Sequence, residues 1–273
     1  MKSKIARLFL HPSPMRLIAK ELIRKLNLGS YERRMQIGAV DRPQYCHCIY
    51  SAAILATKLG YDRISVLEFG VGGGKGLLNI ESHAQQMQKL LPINIDIYGF
   101  DTGQGLPEPL DYRDLPYHWK KGSYKMDVPK LEARLSKAKL ILGDIRDTAG
   151  SFFEKYSPAP IGAAMFDLDF YSSTVAALSM FDDDEKYYLP RVFCYFDDIV
   201  GTEIQLYNDY TGERLAIDEF NRAHKNKKFA IDYHLLPRQV VDPWCHAIRI
   251  YHNFEHSRYN DFVSVENQEL PLE

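Results

Sequence analysis

The chain has 273 residues, 45% of them apolar, which is enough for one large α/β domain or two small ones. A net charge of −2 gives no reason to expect a nucleic acid partner, and no apolar run reaches the roughly 20 residues of a membrane span. The four cysteines are too few and too scattered for a disulfide framework. We therefore expect a reduced, cytoplasmic protein with no integral membrane segment.

Residues 1–60 are predicted to form a helical extension that precedes the core. Its first segment combines basic and apolar residues, and two prolines break it into short pieces. Such a helix packs on the core or on a partner subunit, or lies on an anionic membrane. A second helix, from Tyr45 to Leu59, ends at a glycine. The turn before it, from Arg42 to Tyr45, is predicted to close over a ligand.

Strands and helices alternate from Arg63 onward, which predicts a mostly parallel sheet with helices on both faces. The predicted strands are 64–69, 94–100, 139–143, 161–166, 191–196, 229–235 and 246–251, and helices lie near 75–90, 128–137, 172–180 and 213–224. A proline-containing loop joins the last two strands, which therefore predict an antiparallel hairpin. The sequence thus predicts a seven-stranded Rossmann-like α/β core over 61–253, followed by a tail, 254–273.

The most glycine-rich stretch, from Arg63 to Ile80, is a predicted strand that runs through a turn into a helix. Glycines let the backbone approach a ligand, and the helix N-terminus supplies free N–H groups. A phosphate-binding Walker loop fails because Phe69 stands where its first glycine belongs, and the dinucleotide fingerprint fails at Lys75. The spacing E-x-G-x-G-x-G fits without exception, at Glu68, Gly70, Gly72 and Gly74.

This glycine pattern resembles that of class I methyltransferases, which use S-adenosylmethionine (SAM). The resemblance implies that SAM lies against Glu68 and the three glycines. Asp101 ends the second predicted strand, where ligands bind in open α/β sheets, and it can accept hydrogen bonds from the ribose hydroxyls. Its alternative role is a helix or turn cap. The place that holds the adenine in the family, after the third strand, corresponds to Asp144 and Ile145.

Four aspartates follow the fourth and fifth predicted strands, which are neighbours in the usual strand order. They are Asp167, Asp169, Asp197 and Asp198. Carboxylates this close repel one another unless a positive charge lies among them, and oxygen ligands favour Mg²⁺ or Ca²⁺ over zinc. Capping of the helix near 173–180 explains one or two of these side chains but not four. We therefore expect a divalent cation at this edge of the sheet.

The acidic segments, D-x-D-x-Y-x-S-T at 167–174 and D-D at 197–198, resemble the macrocin O-methyltransferase family of antibiotic sugar methylation. Two further segments share the likeness, GFDTGQGLPEP from Gly99 and GDIRDT from Gly143, and it covers roughly residues 63–225. The resemblance implies that Mg²⁺ is held by Asp167, Asp197 and Asp198.

The general base is a separate question. Catechol O-methyltransferases have a comparable acidic trio and a lysine base just after the first aspartate, but this chain has Phe170 there. Asp169 or a loop histidine, His118, is therefore the candidate base, and Asp167 is the third predicted catalytic residue. Acceptor selection is predicted for two inserts, residues 111–127 and the loop after the second aspartate pair, because both mix aromatic with polar residues.

Together these features predict a SAM- and Mg²⁺-dependent O-methyltransferase acting on a hydroxyl of a small molecule, such as a sugar, glycan or natural-product intermediate. Two alternatives stay open: a protein of methyltransferase fold that binds SAM or another nucleotide without catalysis, and a nucleotide-sugar-modifying enzyme on a similar fold. The complete glycine pattern and the acidic cluster argue against a degenerate enzyme. We also expect the N-terminal extension, residues 1–60, and the insert 111–127 to form a lid over the acceptor and to contribute to a homo-oligomer contact.

Overall fold

Seven strands form one sheet in the part of the chain that the structure, a computed structural model, describes, residues 14–237 and 242–264. They are Arg63–Phe69 (β1), Asn94–Asp101 (β2), Lys139–Leu142 (β3), Ile161–Phe166 (β4), Tyr188–Phe196 (β5), Lys227–Ile231 (β6) and Ile248–Asn253 (β7). Their order is β3-β2-β1-β4-β5-β7-β6. Strands β1 to β5 pair in parallel, whereas β7 runs antiparallel to β5 and β6. The predicted fold and the terminal hairpin are confirmed.

The helices cover the central strands. They are Pro14–Lys25 (α1), Tyr31–Gln36 (α2), Pro43–Lys58 (α3), Lys75–Leu90 (α4), Val128–Glu132 (α5), Ile145–Thr148 (α6), Phe152–Tyr156 (α7), Tyr171–Leu178 (α8) and Gly212–Ala223 (α9). Helices α3 and α4 pack on each other and on β1, while α8 and α9 pack together. Strand β4 is buried along its whole length, as expected for a central parallel strand. None of the described helices is long and apolar enough to cross a membrane.

A row of four phenylalanine rings crosses the sheet near the carboxyl ends of its central strands. Phe69 stacks on Phe100 of β2 and on Phe166 of β4, with ring centroids 5.0 and 4.9 Å apart. Phe166 stacks in turn on Phe196 of β5 at 4.3 Å. The four rings are at most 1% exposed. This apolar row fixes the ends of the strands, and the polar residues that follow them start from a rigid floor.

The last two strands are displaced from their predicted limits. Strand β6 ends at Ile231 rather than at residue 235, because the Asp232 side chain accepts a hydrogen bond from the His234 N–H and turns the chain into a short 3₁₀ helix, Tyr233–Leu235. A second 3₁₀ helix, Pro243–His246, delays the start of β7 to Ile248. Both errors arise at short 3₁₀ turns, which leave no periodic signal in the sequence.

The N-terminal extension is helical, as predicted, for the residues that the structure describes, and residues 1–13 lie outside them. The orientation of α1 was not predicted. Leu17, Ile18 and Leu22 are at least half exposed, whereas Lys20 donates to Asp242 on the body of the protein. The polar side of α1 therefore faces the core and its apolar side faces outward. The expected contact with a partner subunit stays a prediction.

The first part of the predicted C-terminal tail is attached to the body. His256 is buried and contacts the Tyr188 carbonyl oxygen at 3.1 Å, and the Arg191 guanidinium donates to the Tyr259 carbonyl oxygen at 2.7 Å. Residues 254–264 thus cover one end of β5 through turns, and residues 265–273 lie outside the described residues.

Candidate active site

The glycine turn between β1 and α4 depends on close backbone contacts. Gly70 has φ +82°, and a Cβ there would lie 1.8 Å from the Asp167 carbonyl oxygen. A Cβ on Gly76 would lie 1.8 Å from Glu68 Oε1. Side chains at either position would push the end of β1 away from β4 or from its own helix. The glycines therefore bring the turn against the polar ends of both central strands.

A cavity of about 380 Å³ opens at the carboxyl ends of the strands, beside this turn. Ten of the twelve predicted site residues line it: Glu68, Gly70, Gly72, Asp101, Asp144, Ile145, Asp167, Asp169, Asp197 and Asp198. Gly74 does not, since it caps α4 and faces Leu131. His118 does not line the cavity either, because its ring packs edge-on against Trp119 at 4.2 Å.

Asp101 binds the glycine turn through its own carboxylate. Its Oδ2 accepts hydrogen bonds from the N–H groups of Val71 and Gly72, at 2.9 and 2.8 Å, and its Oδ1 accepts one from Gly103. The side chain thus holds the turn in place while it lines the cavity. Asp101 therefore caps the turn, which is one of its two predicted roles, and it also lines the cavity in which the other prediction places a ligand.

Asp144 is also engaged within the protein. It caps α6 by accepting from the Arg146 N–H, and its carboxylate forms an ion pair with the Arg146 guanidinium. This guanidinium lowers the pKa of Asp144. Ile145 is buried at the same edge. An acidic and an apolar group therefore stand side by side after β3, as the sequence predicts.

Glu68 is a buried carboxyl group, 1% exposed, at the end of the cavity nearest to α3. The Tyr45 hydroxyl donates to its Oε1 at 2.9 Å, while Oε2 finds no hydrogen-bond partner among the described residues. Burial raises the pKa of Glu68 to about 8, and the tyrosine hydrogen bond opposes the rise. A buried, half-satisfied carboxyl of this kind is poised to receive a cationic group.

Four acidic side chains line the other side of the cavity, and a fifth, Glu213, accepts a hydrogen bond from the Asp198 N–H. We call the five the carboxylate cluster: Asp167, Asp169, Asp197, Asp198 and Glu213. Burial raises the pKa of Asp198 to about 6, although a hydrogen bond from the Tyr207 hydroxyl opposes the rise. Burial and neighbouring carboxylates raise the pKa values of Asp167, Asp169 and Glu213. Full ionisation of the cluster would therefore place more negative charge there than its surroundings offset.

Backbone groups and tyrosines hold the cluster together. The N–H of Asp169, a residue with φ +60°, donates to Asp198 Oδ2 at 2.9 Å, and the Asp198 N–H donates to Glu213 Oε2 at 3.0 Å. The Tyr195 hydroxyl donates to Asp197. The other oxygen of Glu213 is buried with no partner in residues 14–237 or 242–264.

The donor set fits a hard divalent cation in type and in charge. All the donors are carboxylate oxygens, and the unmatched oxygen of Glu213 and the raised pKa values indicate missing positive charge. Within the described residues, no group of three or more histidine, cysteine, aspartate or glutamate side chains is arranged to hold a metal ion. A metal site here therefore requires side-chain rotation, for which the exposed Asp197 has room.

The two predicted inserts meet above the cavity. The Tyr117 hydroxyl donates to the Gln205 carbonyl oxygen at 2.6 Å, and Trp119, Tyr124 and Gln205 all line the cavity. Asp114 anchors the first insert: buried at 1% exposure, it accepts hydrogen bonds from the N–H and the hydroxyl of Ser172. Asp114 of the insert thus caps the start of α8 from a distant part of the chain.

Sequence reasoning missed two acidic residues, Glu213 and Asp114, and named Arg42 only as part of a turn predicted to close over a ligand. Arg42 lines the cavity from the start of α3. Glu213 was hidden in the first turn of a predicted helix, and Asp114 in an insert without regular structure. The positive φ of Arg42 and the burial of both acids identify them only in three dimensions.

Solved structures share this architecture. The chain matches a structure described as the calicheamicin methyltransferase CalS11 with a TM-score of 0.53 and 20% identity, over 90% of this chain and 95% of that chain. The chain has a methyltransferase fold. The O-methyltransferase NovP matches with a TM-score of 0.53 and 12% identity, over 77% of this chain and 80% of that chain. No protein-family model and no curated protein sequence matches the chain.

Proposed function

We propose that the protein is a SAM- and Mg²⁺-dependent O-methyltransferase of the macrocin O-methyltransferase family, acting on a hydroxyl of a sugar, glycan or natural-product intermediate. One observation carries the proposal. A single cavity joins the E-x-G-x-G-x-G turn to four aspartates of the carboxylate cluster, and burial together with neighbouring carboxylates raises the pKa of Asp167 among them. The names of the two structural neighbours, a calicheamicin methyltransferase and an O-methyltransferase, support the reaction class.

The glycine side of the cavity would hold SAM, which supplies the methyl group. Glu68 and the turn at Gly70 and Gly72 line the part of the cavity at the end of β1. Asp101 stands at the end of β2, in the position proposed for the ribose, and Asp144 and Ile145 stand after β3, in the position proposed for adenine. These positions follow the strand order, so an extended nucleoside–amino acid ligand spans them in one direction.

The carboxylate cluster would hold Mg²⁺ through Asp167, Asp197 and Asp198. A bound divalent cation makes an acceptor hydroxyl more acidic and holds it in position. Asp169 would accept the hydroxyl proton, since it lines the cavity and burial raises its pKa. His118 has no comparable access. The joined inserts exclude water from the reacting groups.

Isothermal titration with SAM, with and without millimolar Mg²⁺, tests this function. We expect SAM to bind in both conditions, and Mg²⁺ binding to be lost in Asp198→Asn. Asp209→Asn is the matched control, because Asp209 is an exposed acid paired with Arg214 outside the cavity. A wild-type protein that binds no SAM contradicts the proposed function. Equal Mg²⁺ binding by the wild type and Asp198→Asn contradicts the metal assignment.

The second candidate function is SAM binding without catalysis. The engagement of both Asp198 oxygens, by the Asp169 N–H and the Tyr207 hydroxyl, favours it. The same titration separates the two functions: tight SAM binding with no detectable binding of Mg²⁺, Ca²⁺ or Mn²⁺ supports the non-catalytic alternative.

A further inference from the structure

One end of the cavity brings together a cation and an anion that do not satisfy each other. Arg42 and Glu68 both line this end. The Arg42 side chain makes no hydrogen bond or ion pair within residues 14–237 and 242–264; its guanidinium lies over the Tyr45 ring, 4.9 Å from the centroid. The hydroxyl of the same tyrosine donates to Glu68 Oε1, which leaves the buried Oε2 unmatched. Tyr45 therefore lies between a free guanidinium and a half-satisfied carboxyl.

The backbone holds Arg42 in a strained position. Its φ of 42° and ψ of 66° place it in the left-handed region, immediately before Pro43 at the start of α3. A non-glycine residue in this region costs about 1–2 kcal/mol, and such residues persist where the surrounding structure imposes them. Here the flanking residues do so: His83 contacts the Asp41 carbonyl oxygen at 2.8 Å, and Tyr45 is fully buried. The guanidinium is thereby directed over the tyrosine ring at the cavity.

An α-amino acid has the charges that match this pair. Its carboxylate suits a guanidinium, which binds carboxylates through two parallel hydrogen bonds. Its ammonium group suits a buried carboxyl with one free oxygen, and the approach of the positive charge favours the ionised form of that carboxyl. The proposed positions of the adenine and the ribose lie at the ends of β3 and β2, which leaves the end of β1, beside Arg42 and Glu68, for the amino acid.

We propose that Arg42 and Glu68 form the subsite for the amino acid end of SAM, with Arg42 on its carboxylate and Glu68 on its ammonium group. Arg42 is then the residue by which the protein selects ligands that keep the amino acid. The inference rests on the proposed SAM binding and goes beyond it, because it assigns a role to a residue outside the glycine pattern.

A competing role for Arg42 is general neutralisation of the carboxylate cluster, since Asp167 and Asp197 also contribute to its electrostatic environment. The two roles differ in their effect on ligands. Neutralisation acts on the whole cavity, whereas an amino acid subsite acts only on ligands that carry the amino acid.

The experiment compares two probes by titration calorimetry: S-adenosylhomocysteine, and 5′-methylthioadenosine, which lacks the amino acid. We expect Arg42→Gln and Glu68→Gln to weaken S-adenosylhomocysteine binding about 10- to 100-fold, because each loses a charged hydrogen-bond partner, while 5′-methylthioadenosine binding stays within about twofold. Arg42→Lys should recover part of the lost affinity. Arg34→Gln is the matched control, since Arg34 lies over the Tyr31 ring at 5.6 Å but away from the cavity.

Equal losses for both probes in Arg42→Gln overturn the subsite and support the neutralising role. An unchanged preference for S-adenosylhomocysteine overturns it as well. A wild-type protein that binds neither probe refutes the proposed function together with the subsite, so the two failures are distinguishable. Thermal unfolding of each variant, with a midpoint close to that of Arg34→Gln, shows that the affinities are those of a folded protein.

Discussion

The two sides of the cavity are built on opposite principles. On the glycine side, the two aspartates find partners within the protein: Asp101 accepts hydrogen bonds from three backbone N–H groups, and Asp144 pairs with Arg146. Glu68 is the exception there, because its Oε2 has no partner among the described residues. On the cluster side, carboxylates crowd together, and burial with mutual repulsion raises the pKa values of Asp167 and Glu213. The same sheet edge thus carries one half whose aspartates have partners and one half in which carboxylates crowd together.

The difference shows which half is complete without a ligand. Backbone hydrogen bonds organise the glycine side during folding, so a ligand meets a preformed surface there. The cluster side keeps its acids at a cost in stability, since buried like charges are unfavourable. A bound cation would offset that cost. The conflict on the cluster side is of the kind expected at functional sites.

The largest expected effect is on the glycine side, in Gly70→Ala. The new Cβ would meet the Asp167 carbonyl oxygen at 1.8 Å, at a φ of +82°. We expect a loss of about 4 kcal/mol in the free energy of unfolding, measured by urea denaturation, together with loss of SAM binding. Gly73→Ala is the control: nothing lies within 4 Å of its Cβ and its φ is not positive, so its stability should change little. Equal stability in both variants would show that the turn tolerates displacement.

A smaller effect concerns Glu68, the one glycine-side acid with a raised pKa. The ordinary pKa of Glu68 is 4.5 and its pKa in the folded protein is about 8. Between these two pH values the native state holds more protons than the unfolded state. The contribution of Glu68 to the free energy of unfolding is therefore complete below pH 4.5 and is lost as the pH rises through about 8. The groups facing it are Tyr45, Arg42, Asp167 and Asp101.

Between pH 5 and 8.5 we expect the wild type to lose on the order of 3 kcal/mol of stability relative to Glu68→Gln, measured by denaturation at each pH. Glu81→Gln is the control, because backbone N–H groups lower the pKa of Glu81. The difference in free energy of unfolding between Glu81→Gln and the wild type should stay constant over this pH range. Parallel pH profiles for the wild type and Glu68→Gln would mean that Glu68 is ionised in the free protein.

The smallest effects are expected for one aspartate from each side of the cavity. The two substitutions should change the stability of the protein in opposite directions. Asp101→Asn removes acceptors from backbone N–H groups and should cost about 2 kcal/mol. Asp167→Asn removes a charge from the cluster, and its side chain accepts no hydrogen bond from the described residues. It should stabilise the metal-free protein by about 1 kcal/mol. Thermal unfolding without Mg²⁺ measures both, and destabilisation by Asp167→Asn would show that the cluster is already neutralised.

Much of the site was readable in the sequence because its members follow strands directly. The glycine spacing and the aspartates after β2, β4 and β5 are local features, and parallel strands bring their carboxyl ends to one edge. Even so, the chain pattern left the capping and ligand roles of Asp101 as alternatives, and it did not show that the Tyr207 hydroxyl and the Asp169 N–H donate to Asp198.

The sequence alone determined the α/β class, the strands to within a few residues and the ten cavity-lining residues it named, since periodicity and turn chemistry act over short distances. Tertiary structure alone decided which distant acids support them: Glu213 of α9 accepts from the Asp198 N–H, and Asp114 of an insert accepts from the Ser172 N–H. It also decided that α1 turns its charges inward, through Lys20 and Asp242, which are 222 residues apart. Contacts of such long range depend on packing of the whole chain, and no local pattern encodes them.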